Sequence, residues 1–280
     1  MGVVSGVTTV VNGKGGITGM SVNHRVALGS TATSGSEGGI IRFPGNVDWD
    51  GSYDGVGHSP GVFPGDALAF VGAVVAATDP AVAAGASGTA VVGNLSIMVG
   101  IEAADAVRHS VGFGGNGALS FTDVSAAAGA DALAVSLGCS LSLAPVATGS
   151  YAAVADVRQA TLNFSRDLNP YASSSTAGIH KRAAGNLDGS LSCSVYTDDF
   201  STLPAVNSEQ FVKLIFADAL FWEIKAMTVD SVQPVSSVES GDPIGATINM
   251  SFTATYQATA NVWTLGSITN PATVTVWNPA

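Results

Sequence analysis

Short runs in which apolar and polar residues alternate, broken by Gly, Asn, Asp and Pro, recur along the whole chain. A period of two belongs to strands, whose side chains point to opposite faces in turn. In the first half the runs cover residues 3–11, 17–23, 46–53, 91–101 and 118–124. In the second they cover 151–154, 157–164, 186–196, 221–232 and 246–257. Two stretches depart from that period. Asn207 precedes Ser208-Glu209-Gln210, and Phe211, Leu214 and Ile215 follow at helical spacing, which predicts a short capped helix. Asp66, after Pro64, stands in the same relation to Leu68, Phe70, Val71 and Val74. The pattern predicts an all-β protein with one short helix per unit, each unit a β-sandwich or partly closed barrel with the helix on its flank.

The units repeat. Ala32, Ser34, Gly38, Arg42, Gly45, Asn46 and Asp48 recur as Ala172, Ser174, Gly178, Arg182, Gly185, Asn186 and Asp188, an offset of 140 in a chain of 280 residues. Ile17, Val22 and Asn23 lie opposite Val157, Leu162 and Asn163 at the same offset. One inserted residue sets Asp66 and Phe70 against Asn207 and Phe211, and an offset of 131 sets Leu119-Ser120-Phe121-Thr122 against Met250-Ser251-Phe252-Thr253. A gene duplication accounts for this, and it predicts two tandem domains, residues 1–146 and 147–280, each near the usual domain size. The boundary falls where Pro145, Gly149 and Ser150 punctuate the chain. Between the second and third strands of each copy runs a long loop of small residues, from about 29 to 45 and from about 170 to 185. Such loops are uncommon unless functional. Its equal length in both copies, with Arg42 and Arg182 in register, suggests a docking element; a plain hairpin connection is the alternative.

Charged residues are 11% of the chain, against about a quarter in a typical soluble domain. Low charge with much Gly and many β-branched residues fits a β protein buried against copies of itself, and fits equally a surface β protein. The net charge of −11 is divided evenly between the halves and contains no basic cluster, so specific or tight nucleic-acid binding is not expected. Cys139 and Cys193 follow no metal spacing and read as small buried thiols. Met-Gly-Val-Val-Ser-Gly has no basic residue before an apolar core, and the apolar run 67–77 is too short to span a bilayer, so neither a cleaved signal nor a membrane association is expected.

Catalytic chemistry is hard to find. His24, His58, His109 and His180 are scattered, Gly85-Ala86-Ser87-Gly88-Thr89 lacks the last Gly of a nucleophile elbow, and Gly13-Lys14-Gly15-Gly16 lacks the Ser or Thr of a phosphate loop. Asp48-Trp49-Asp50-Gly51-Ser52-Tyr53-Asp54-Gly55 places carboxylates at alternate positions, as a calcium loop does. It has no closing Glu, and the second copy replaces Trp49 and Asp50 by Gly189 and Ser190, so a strand and turn is the preferred reading. No catalytic residue, cofactor or metal is expected.

The strand Ala160-Thr161-Leu162-Asn163-Phe164, the loop carrying Arg182, and the returning strand Gly185-Asn186-Leu187-Asp188-Gly189-Ser190-Leu191-Ser192 resemble the core of the tail tube protein of tailed bacteriophages. The resemblance implies a virion structural protein, made in the host cytoplasm, whose inner sheets join between subunits into a barrel around a channel. It implies trimers of a duplicated chain that mimic hexameric rings, stacked into a tube and joined to other tail proteins. DNA would pass through without specific binding. Ser34, Arg42, Ser174 and Arg182, in the paired loops, are then the candidate inter-subunit contacts. Another virion component (decoration, collar or tail terminator) and a surface adhesin or carbohydrate-binding β protein are the alternatives.

Overall fold

The computed structural model describes residues 7–11, 16–32, 35, 39–57, 61–76, 79–100, 106–123, 136–146, 148–154, 156–197, 199–216, 220–235, 244–252, 263–267 and 275–277. It is all-β. The strands are β1 (Val7–Val11), β2 (Ile17–Thr31), β3 (Ile41–Val56), β4 (Ala67–Ala76), β5 (Asp79–Gly100), β6 (Arg108–Asp123), β7 (Ser140–Pro145) and β8 (Ala152–Val154). They continue as β9 (Val157–Tyr171), β10 (Lys181–Tyr196), β11 (Glu209–Ile215), β12 (Leu220–Val235), β13 (Gly245–Phe252), β14 (Trp263–Ser267) and β15 (Thr275–Trp277).

Hydrogen bonding joins them in the order β2-β3-β6-β5-β9-β10-β13-β12-β11-β7-β8, with β4 also on β5, β1 on β4, β14 on β12 and β15 on β14. Long strands change neighbours along their length. β5 pairs with β4 through residues 79–91 and with β9 through residues 94–100, bending at an irregularity between Val92 and Asn94. β12 does likewise at Val229/Ser231. Bulges of this kind let one strand serve two layers. The layers pack face to face: Phe70 of β4 meets Trp49 of β3 at 5.8 Å and Phe113 of β6 at 4.8 Å between ring centroids. Buried residues of both halves form one hydrophobic core.

The repeat is present residue by residue. Arg25 faces Asp48 and Val26 faces Val47, then a bulge precedes the Leu28–Pro44 pair. In the second half Ser165 faces Asp188 and Arg166 faces Leu187, and the same bulge precedes Leu168–Ala184. β5·β6 and β12·β13 match in the same way at an offset of 137, Asn94–Gly112 corresponding to Ser231–Asn249. Both halves therefore present the same strand order, β2-β3-β6-β5 and β9-β10-β13-β12.

Three expectations are corrected. Residues 66–74 and 207–215 are not helical: they lie largely within strands β4 and β11. In β11, Gln210, Val212 and Leu214 are buried while Phe211, Lys213 and Ile215 are half-buried, so the apparent helical stripe combined residues from two strand faces. β7 and β12 flank β11 and take its backbone hydrogen bonds, which local propensity cannot foresee. Asp66 caps backwards, its Oδ2 accepting from Phe63 N at 2.8 Å, and Asn207 sits in a turn with φ 65°. Second, Asp66 corresponds to Ser208, since each brackets the bulged strand by the same bonds: Gly65 N to Val92 O and Val92 N to Asp66 O, Asn207 N to Val229 O and Val229 N to Ser208 O. Third, the Leu-Ser-Phe-Thr match at residue 119 has no structural counterpart, because Phe113 stands where Met250 does.

Both cysteines are free and buried. Burial pushes the Cys193 thiol up to about 12, so at neutral pH it is held as the unreactive thiol. Cys193 is expected to resist a thiolate-directed reagent in the folded chain and to react at once in denaturant; rapid labelling of the native Cys139→Ser variant would contradict this.

Candidate functional site

Along β3, Trp49 and Tyr53 enter the core, and Asp48, Asp50, Ser52 and Asp54 take the opposite face. The strand spaces alternate carboxylates by about 7 Å, too far to converge on one ion without a turn. Arg25, opposite Asp48 on β2, neutralises two of them: its Nη2 donates to Asp48 Oδ2 at 2.9 Å and its Nη1 to Asp50 Oδ2 at 2.7 Å. No group of three or more His, Cys, Asp or Glu side chains fit to hold a metal occurs among the described residues.

Asp48 has a second cation, from the other half. Arg182 Nη2 donates to Asp48 Oδ1 at 2.6 Å, with both side chains about one-tenth exposed. Arg182 also donates through Nε to Gly115 O at 3.3 Å, and its backbone N–H donates to Asn116 Oδ1 at 2.9 Å. Arg182 and Arg42 lie at the starts of strands β10 and β3 rather than in the expected loops, because the strands extend further than expected. The shorter loop before Arg182, residues 172–180, is built for this position. A 3-10 turn at Ser174–Thr176 is closed by Thr176, whose Oγ1 accepts from Ser173 N. Ala177 and Gly178 then take left-handed backbone (φ 49° and 77°), which turns the chain towards β3. Val47 N donates to Gly178 O at 2.8 Å, and His180 N returns a bond to Val47 O at 2.9 Å. The expected docking loop of the second copy thus docks on the first copy of its own chain. Of the four candidates, Arg182 is engaged between the halves, Ser174 opens the 3-10 turn, Arg42 is exposed, and Ser34 lies outside the described residues.

The electrostatics favour the pair. Burial raises the Asp48 carboxyl, but the hydrogen bonds and charges of Arg25 and Arg182 outweigh it and hold the group below its ordinary value. A depressed carboxylate contributes stability above its unfolded pKa and loses it as pH falls through the folded one. Thermal stability is therefore expected to fall below about pH 4. Asp48→Asn should be less stable at pH 7 and lose less on acidification. Parallel pH profiles for the two chains would count against the pair.

The second half lacks this cover. Asp188 corresponds to Asp48 and keeps its local geometry, with Gly189 N donating to Asp188 Oδ1 at 2.8 Å as Trp49 N does to Asp48 Oδ1 at 2.9 Å. Yet Asp188 is exposed, Ser165 stands where Arg25 does, and no ion pair to Asp188 or Arg42 is found among the described residues. The sheet edges differ likewise. Ala160, Leu162 and Phe164 of β9 are buried against β5, whereas their equivalents on β2, Met20, Val22 and His24, are not buried.

The face of this sheet turned away from the core is small and polar. It carries Ser21, Ser52, Ser96, Ser110, Thr161, Asn163, Ser190, Ser192, Thr247, Asn249 and Ser231. Ser192 Oγ donates to Asn249 Oδ1 and Asn249 Nδ2 to Ser231 Oγ, at 2.9 and 3.0 Å. Sequence reasoning missed this face, although its signal was the Ser, Thr and Asn at alternate positions of the strands.

The chain matches no protein-family model and no curated protein.

Proposed function

We propose that the protein is a virion structural protein that self-assembles head to tail into rings, and that stacked rings form a tail tube through which DNA passes. One observation carries this reading. The internal β5·β9 junction joins the end of one four-strand set to the start of an equivalent set, and the equivalent edges, β2 and residues 231–235 of β12, have no further partner strand among the described residues. A contact that takes one repeat onto the next is heterologous; copied between chains it gives a ring where its rotation closes and a helical filament where it does not. An open edge is otherwise an aggregation hazard, and closure removes it. Three duplicated chains then give a pseudo-sixfold ring.

The polar face suits a channel for DNA. On this face Arg25 is tied to Asp48 and Asp50, and Arg182 to Asp48. Exposed Arg108 is a single further arginine among Ser, Thr and Asn, and these are too few cations to release many counterions from phosphate. A highly charged polymer would slide past rather than bind. Light scattering and negative-stain electron microscopy at high concentration test the proposal. Rings or hollow tubes with threefold or pseudo-sixfold end views are expected; a monodisperse monomer at every concentration would overturn it.

A further inference from the structure

We infer that the β12 edge of one chain receives the β2 edge of the next in the register already used at β5·β9, with Arg42 of the incoming chain on Asp188. The inference rests on the assembly reading above and adds its partner strands, register and ion pair. Within the chain, Asn94 faces Ser165, Leu95 faces Phe164, Ser96 faces Asn163, Ile97 faces Leu162 and Met98 faces Thr161. Moving each residue to its repeat equivalent, β5 to β12 and β9 to β2, sets Ser231 against Arg25, Val232 against His24, Gln233 against Asn23, Pro234 against Val22 and Val235 against Ser21.

Both edges are available for this. Residues 231–235 of β12 pair with β13 on one side only, and β2 pairs with β3 only, among the described residues. Leu95 and Ile97 are buried beneath β9, while their equivalents are half-buried Val232 and exposed Pro234. Pro234 removes at most one donor from the ladder, as suits an edge strand.

Apolar surface at the hairpin arm matches too. Leu28 is 63% exposed; its equivalent Leu168 is half-buried against β5, where a methyl placed on Gly93 would meet Leu168 Cδ1 at 3.0 Å. Exposed Ile41 and Phe43 lie on the other face of the same ribbon, with Gly29 and Thr31.

Charge completes the match. Arg42 takes the place of Arg182, and Asp188 takes the place of Asp48. At the equivalents of Gly114 and Gly93 stand Ser251 and Asp230, joined by a 2.9 Å hydrogen bond, so the incoming Arg42 meets a second carboxylate. The contact is therefore the internal one with its charges redistributed: one acid between two arginines inside the chain, one arginine between two acids across chains.

Two variants test it. Residues directly opposite in an antiparallel ladder have Cα atoms about 4.5–5.5 Å apart, within disulfide reach. Asn23→Cys with Gln233→Cys in one chain should give cross-linked trimers on oxidation, because residues 23 and 233 lie on strands near opposite ends of the β2-to-β12 order. Asn23→Cys with Ser231→Cys, two residues out of register, should give far fewer. Arg42→Glu and Asp188→Arg should each raise the concentration for half-maximal assembly at least about tenfold without changing the monomer's melting temperature, and the double variant should restore assembly. Wild-type chains that never assemble would overturn the assembly reading itself. Rings that form without the cross-link, or that tolerate Arg42→Glu, would overturn the register and ion pair alone.

Discussion

Arg182→Ala is expected to lower the melting temperature of the chain by about 5–10 °C, while Arg42→Ala, the same change at the equivalent repeat position, leaves it unaltered. Removing one member of a buried ion pair costs about 3–5 kcal/mol, because the partner charge stays desolvated. Asp48 retains Arg25, which offsets part of that loss, so about 2–3 kcal/mol remains. The bond to Gly115 O disappears as well. Arg182→Lys should recover only part of the stability, since an ammonium reaches one acceptor where the guanidinium reaches Asp48 and Gly115 together. Thermal unfolding of monomeric protein at pH 7 makes the comparison. Equal midpoints for Arg182→Ala and the wild type would mean that the loop is held by its backbone bonds to Val47 and Asn116, without the arginine side chain.

That asymmetry marks where the sequence could and could not be read. The identities at 42/182 and 48/188 pointed to a retained arginine and a retained aspartate in each copy. They could not say that the arginine of one copy meets the aspartate of the other, because the contact spans 134 positions and depends on how β9 lies along β5. The β2–β3 and β9–β10 hairpins were legible, because duplication kept their length and alternation at an offset of 140. β4 and β11 were not: about seven apolar-rich residues fit a helical stripe as well as a strand, and only flanking strands decide. The acidic run 48–55 invited a metal reading because sequence shows spacing but not Arg25 across the ladder. The polar sheet face emerged only when eight strands were laid side by side.

Trp49→Ala is expected to cost about 3–5 kcal/mol, and placing bulk on the opposite strand should return part of it. Trp49 is buried, its ring 5.8 Å from Phe70 and 6.0 Å from Phe113, and Nε1 donates to Gly117 O at 2.8 Å. Gly88 and Gly115 keep the space clear, since a methyl on either would run into the indole. Truncation leaves both a cavity and a carbonyl without its donor. The second half solves the same packing problem differently. Gly189 stands where Trp49 does, and the core volume comes from Phe164, which faces it across the β9·β10 ladder. The residue facing Trp49 is His24, exposed and set 5.8 Å from Phe121. Bulk has thus moved from one strand to its partner between the copies, with the backbone register unchanged. Adding His24→Phe to Trp49→Ala reproduces the second-half arrangement and should recover about 1–2 kcal/mol in urea unfolding. His24→Phe in the wild-type background, with the site already filled, should gain nothing. If the double variant is no more stable than Trp49→Ala, the two halves do not share interchangeable packing, and their equivalence stops at the backbone.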